Sequence, residues 1–164
     1  MVEQGHVEEG IRLMRQGLTA LQDTGTLTWR PLRLGYLADA YGRLRQIDEG
    51  LRLIAEALAV IDASDIRMSE AEVYRIKGEL LSRAGTRHTW AEAEGCFQQA
   101  LDVARRQQAR SWELRAAMSL SRLWQHQGKH HEARALLAPI YGWFTEGFDT
   151  ADVQEARALL EELR

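Results

Sequence analysis

The chain has little of what chemistry or a membrane would require. It carries one cysteine, Cys96, in 164 residues, so no internal disulfide can form and a reducing, cytoplasmic setting is expected. It has two prolines, and its β-branched residues never gather into a strand-like run, which points to an all-helical class. No stretch approaches the roughly 20 apolar residues of a membrane span. The opening Met1-Val2-Glu3-Gln4-Gly5-His6 has no apolar run behind it, so no signal peptide is expected. An excess of one charge is missing too. The net charge is −3, with acidic and basic residues interspersed, whereas a nucleic-acid footprint needs a large basic excess.

What is present is repetition. A small residue recurs at Gly10, Gly50, Ala93 and Ala133, with spacings of 40, 43 and 40 residues. Each opens an apolar stripe. Ile11, Met14, Leu18 and Leu21 fall at steps of 3, 4 and 3, and Leu51, Ile54, Leu58 and Ile61 repeat those steps. Ala93, Phe97, Ala100, Leu101 and Ala104 form the third stripe, and Ala133, Leu137, Ile140, Tyr141 and Phe144 the fourth. A last stripe is Val153, Ala156, Leu160 and Leu163. Such a period predicts a stacked array rather than a globule around one active site.

Partner helices are expected between the stripes, at about Pro31 to Leu44, Glu70 to Ala84 and Trp112 to Gln127. Pro31 suits a first turn, where its missing N–H leaves nothing unpaired. Ser69-Glu70-Ala71-Glu72 and Thr89-Trp90-Ala91-Glu92 read as capping boxes, and Ser111 as an N-cap. Gly85 and Gly128 stand where two helices should stop. The turns at 45–48 and 128–130 are short, so neighbouring helices are antiparallel. Longer connections are expected at 23–28 and 145–150.

These residues resemble the tetratricopeptide repeat. One copy reads Leu34-x2-Leu37-Ala38-x2-Tyr41 followed by Gly50-x3-Ile54 and Ala57; a second reads Tyr74-x2-Lys77-Gly78-x2-Leu81 followed by Ala93-x3-Phe97 and Ala100. A third reads Ala117-x2-Leu120-Ser121-x2-Trp124 followed by Ala133-x3-Leu137. Small residues let two helices approach, and large ones fill the space between hairpins. Lys77 departs from the usual leucine. The proline that normally ends each unit is replaced by Asp62, Arg105 and Thr145, so the second helices can run on and lengthen the period beyond the usual 34. The resemblance implies an all-α, right-handed superhelix of antiparallel hairpins. Its parts are a half repeat at 5–25, repeats at 29–63, 69–107 and 111–144, and a capping helix at 150–164.

The segment from Leu136 to Asp152, with Tyr74–Leu81 and Arg105–Arg115, is similar to the C-terminal tails of large bacterial signalling proteins. Those join a class III adenylate/guanylate cyclase or a DNA-binding domain to a predicted ATPase and a helical-repeat tail. No G-x-x-x-x-G-K-[ST] loop and no pair of cyclase metal-binding aspartates occurs, so the resemblance implies a context and lends no activity. The first unit starts at its turn, near Gly5, and lacks a first helix. Its uncapped flank is expected to self-associate or to be covered by an upstream domain.

Catalytic, metal and cofactor groups are not expected. His126, His130 and His131 cluster at a turn, but Gly128 breaks their register and no cysteine is near, so they read as a solvated turn, as do His6 and His88. Cys96, beside Phe97, reads as a small core filler. Trp124 reads as core, Trp90 and Trp112 as packing under turns, and Trp29 or Trp112 as an alternative aromatic contact. In arrays of this kind the first helices line a concave groove. The resemblance therefore puts a partner-binding surface at Asp39, Arg43, Arg75, Glu79, Arg83, Arg115, Arg122 and His126. Five arginines predict a modestly basic groove for acidic or carboxylate-ended peptides. The expected function is a non-catalytic protein–protein interaction or scaffold module. The alternative is a sensory module that binds a small ligand between repeats and relays it to an effector.

Overall fold

The computed structural model describes residues 2–23, 28–64 and 66–164, with the side chains of 2–6 and 21–23 left out. The side chains of His6 and Leu21, and most of the connection expected at 23–28, therefore lie outside the described residues. The chain is all-helical: α1 Val2–Asp23, α2 Arg30–Arg43, α3 Ile47–Ser64, α4 Glu70–Ala84, α5 Arg87–Arg106, α6 Arg110–His126, α7 His130–Tyr141 and α8 Ala151–Glu162. Among the described residues no strand occurs, and no helix is long and apolar enough to cross a membrane.

Packing follows the sequence spacing. α2 packs on α3, α4 on α5 and α6 on α7. α2, α4, α6 and α8 also touch in succession, while α3 packs on α4, α5 on α6 and α7 on α8; α1 packs on α2. Two large apolar cores and a small one at Ala71, Val103 and Ala104 result among the described residues. One large core gathers Ile11, Leu37, Ile54, Ile61, Ile76 and Leu80 from α1 to α4. The other gathers Phe97, Leu114, Leu120, Leu137, Val153 and Leu159 from α5 to α8. Small residues set the helix separations. A Cβ on Gly78 would lie 2.4 Å from the buried Phe97 ring, and one on Gly50 3.0 Å from the Ala38 carbonyl oxygen. The Ser121 hydroxyl donates to the Ala133 carbonyl at 3.1 Å, satisfying its polar group inside the same kind of contact.

Gly85 and Gly128 both take φ +77° just past α4 and α6, the left-handed stop that glycine adopts without a Cβ penalty. Several expected caps are corrected. Ser69 precedes α4 but its buried Oγ makes no hydrogen bond, because its backbone at φ −102°, ψ 4° lacks the extended geometry that aims a cap hydroxyl at the first turn; Glu72, the box's other member, turns to two guanidinium groups. α5 starts at Arg87, one turn-fraction earlier than expected, and its box is Thr86 with Thr89: Thr89 N–H donates to Thr86 Oγ1 at 3.1 Å and Thr86 N–H to Thr89 Oγ1 at 3.0 Å. α6 starts at Arg110 rather than after Ser111, because Gln108 at φ +54° makes a tight reversal and Ala109 N–H is already bonded to the Ala104 carbonyl at 2.9 Å. The second helices run past Asp62 and Arg105 in α3 and α5. α7 stops at Tyr141, short of Thr145, with Pro139 in its last turn and Gly142 directly after it.

Candidate functional site

On α4, Glu72, Arg75, Glu79 and Arg83 fall at steps of 3, 4 and 4, which puts them along one helix face. On α6, Arg115, Ser119, Arg122 and His126 fall at steps of 4, 3 and 4. Asp39 and Arg43 share a face of α2. Because α2, α4, α6 and α8 lie side by side, these faces merge into one ladder of charge.

Its rungs run across the molecule. Asp39 accepts from Arg43 Nε at 3.0 Å and from Arg83 Nη1 at 2.8 Å. Glu79 accepts from Ser119 Oγ at 2.7 Å and from Arg75 Nη1 at 3.4 Å, with Arg83 at 4.0 Å. Arg75 holds Glu72 in a fork, Nε to Oε2 at 2.8 Å and Nη2 to Oε1 at 2.9 Å, and Arg115 pairs with the same carboxylate at 3.0 Å. Arg115 lies 3.9 Å from Asp152 and Arg122 3.0 Å from Glu155, which ties α6 to α8. Burial alone would raise the Asp39 carboxyl, but the hydrogen bond and charge of Arg83, then Arg43, hold it below the ordinary range. Burial would likewise lower the Arg75 guanidinium, and its bond to Glu72 raises it instead.

Seven of the eight residues expected on this face take part in the ladder, and the eighth, His126, is exposed at its end. The expectation of a basic groove is corrected. Arg43, Arg75, Arg83, Arg115 and Arg122, five cations, face Asp39, Glu72, Glu79, Asp152 and Glu155, five carboxylates. The face is balanced, and much of it is closed: the Glu72 side chain is 0 % exposed and Arg75 13 %, whereas Arg122 is 42 % exposed and Glu155 59 %. Sequence reasoning assigned Glu72 to a cap and did not find Ser119, Asp152 or Glu155. The i,i+3 step from Glu72 to Arg75 was a local signal for the first; the other pairings cross helices.

At the open end a cleft of about 320 Å³ lies between α4, α5 and α6. Phe97, Leu123 and Trp90 give it an apolar floor, and Glu79, Arg83, Arg122 and His126 stand at its rim. Trp90 Nε1 donates to the Ser82 carbonyl at 3.3 Å, which fixes the indole against α4. The cleft thus pairs apolar contact with guanidinium and imidazole groups at its rim.

The remaining candidates sit apart. His130 and His131 are exposed in the first turn of α7. Cys96 is half-buried; burial pushes its thiol up against the smaller opposing pull of Lys77. Trp124 packs partly buried on the second core. Trp29 and Trp143 are about half exposed, with the Arg110 guanidinium 3.8 Å from the Trp143 ring centroid. Trp112 packs on Ala71, Val103 and Ala104.

No family profile matches the chain, and no curated protein matches it either. Among solved structures it is similar to BtubC (BKLC) from P. vanneervenii, with a TM-score of 0.68 and 18 % identity over 98 % of this chain and 73 % of that one. At that identity the likeness is one of fold.

Proposed function

We propose that the chain is a non-catalytic interaction module, a right-handed superhelix resembling tetratricopeptide repeats, whose face of first helices binds a peptide or partner helix. The single observation behind this reading is the open cleft at one end of the charge ladder, where an apolar floor meets Arg122 and His126. A segment with one large apolar side chain flanked by carboxylates fits that chemistry. Its carboxylate would displace Glu155 from Arg122, an exposed pair worth about 0–1 kcal/mol, so the exchange costs little. The ladder around Glu72 holds helices together and is not offered to a ligand. The cleft is open to solvent, whereas small-molecule sites bury most of their ligand, which favours a protein ligand over a small sensory one. The similarity to bacterial signalling tails supplies the context: regulatory scaffolding in the cytoplasm beside a cyclase, ATPase or DNA-binding domain.

The test uses a fluorescent acidic decapeptide with one central phenylalanine and measures anisotropy. Wild type is expected to bind it, Arg122→Glu to bind at least tenfold more weakly, and Arg52→Glu, on α3 away from the cleft, to bind as wild type does. Equal loss from both charge reversals would reduce the interaction to general electrostatics and sink the reading.

A further inference from the structure

The stripe Gly10, Leu13, Met14 and Gly17 on α1 recurs 40 residues later on α3 as Gly50, Leu53, Ile54 and Ala57. The later copy is sealed, with Leu53, Ile54 and Ala57 at 7 %, 1 % and 0 % exposure. The helix beside it is α2, which packs on both α3 and α4 and contributes Leu34, Leu37, Ala38 and Tyr41 to the same core. The earlier copy is open. Leu13 and Met14 are 54 % and 41 % exposed, and Tyr36 of α2, standing 40 residues before the buried Ile76, is 40 % exposed. Two shallow depressions of about 300 and 330 Å³, which share Met14 and Tyr36, run along this α1–α2 seam. Gly10 has open space in front of it, where Gly50 meets the α2 backbone.

One position differs in kind. Arg33 stands 40 residues before Val73, which is 0 % exposed. Arg33 is exposed, it lines the seam, and its guanidinium has no ion-pair or hydrogen-bond partner among the described residues. An unpaired cation beside an uncovered apolar stripe specifies what can cover it.

We propose that the α1–α2 seam docks an amphipathic α-helix of a partner protein, one that presents a stripe like Leu34-x2-Leu37-Ala38-x2-Tyr41 and a carboxylate opposite Arg33. The molecule itself shows that such a stripe fills the equivalent seam one repeat on. The carboxylate belongs at the place Gly35 takes inside the molecule, since a Cβ there would point at Ile76 and Val73, 3.2 and 3.8 Å away. A second copy of this chain is a poorer occupant. Its other exposed large apolar residues, Trp29, Met68, Trp143 and Phe148, lie in turns rather than along a helix face. Pairing two seams would also bring two unpaired Arg33 side chains into one interface.

The probe is a helix-stabilised synthetic peptide reproducing residues 29–44 with Gly35→Glu, compared with its Gly35→Lys twin, each titrated into the full chain by fluorescence anisotropy. The Glu peptide is expected to bind at least tenfold more tightly than the Lys peptide, and Arg33→Glu in the protein to invert that order. Leu13→Asp with Met14→Asp should abolish binding of both, with the far-ultraviolet circular dichroism and Tm retained because both side chains are exposed. No binding of the Glu peptide at millimolar concentration would overturn the proposal. So would binding indifferent to Arg33→Glu, or a sedimentation-measured dimer that the peptide fails to dissociate, which would make the second copy the occupant.

Discussion

Two stretches of one charge ladder behave as different materials. Around Glu72 the carboxylate is sealed, forked by Arg75 and closed from the other side by Arg115. Around Arg122 the same chemistry, one guanidinium against Glu155, stands in water. Desolvation separates them. A buried pair cannot lose one member without stranding the other charge, whereas an exposed pair can exchange its partner for a ligand's carboxylate at little cost. The sealed stretch therefore fixes how α4 sits against α6, and the open stretch, beside the cleft, is the part to which the proposed function assigns recognition.

The sharpest way to break that contrast is Glu72→Ala. It takes the carboxylate away from Arg75 and Arg115, leaving them the longer contacts to Glu79 at 3.4 Å and Asp152 at 3.9 Å, and is expected to cost about 3 kcal/mol in urea denaturation. A loss under about 1 kcal/mol would place Glu72 with the exposed pairs. Gly78→Ala follows. The new methyl meets the Phe97 ring, itself 1 % exposed, so a loss of about 1–3 kcal/mol is expected from overpacking. A wild-type Tm would mean that α4 and α5 are not held at this separation.

Acid sharpens the comparison further. The folded Asp39 carboxyl titrates below its ordinary value of 3.8, so its contribution is fully present above that value and is lost as pH falls through the lower folded one. Asp39→Asn should lower stability at neutral pH and remove this part of the acid limb; an unchanged limb would show that Asp39 gains nothing from Arg83. The smallest stability effect is expected at Arg122→Ala, within about 1 kcal/mol by thermal denaturation, because its ion pair is exposed. A large loss there would make the open stretch structural too.

Much of the fold was legible because burial writes itself into periodicity. Stripes such as Leu51, Ile54, Leu58 and Ile61 recur at helical steps, and the glycines at Gly85 and Gly128 mark stops that only a residue without Cβ takes easily. Helix starts were less legible. Ser69, Thr89 and Ser111 all have capping chemistry, yet the Ser69 backbone is not extended, Thr86 is better placed, and the reversal at Gln108 starts α6 at Arg110, ahead of Ser111. The site was half legible. Residues on one helix face, such as Arg75, Glu79 and Arg83, follow from spacing. The basic character inferred from them failed because Asp152 and Glu155 arrive from α8, more than 30 residues from their partners on α6. Pairing across helices is a property of the packed structure and leaves no local trace.

The central claim is that recognition belongs to the open stretch and not to the sealed one. The most direct measurement is an NMR titration of isotope-labelled protein with the acidic phenylalanine decapeptide, following every backbone amide and the indole N–H groups. The account predicts shifts at the Trp90 indole and from Ser119 to His126, with Glu72 and Arg75 unmoved. Shifts centred on Glu72 and Arg75, or confined to the far faces of α3 and α7, would contradict it.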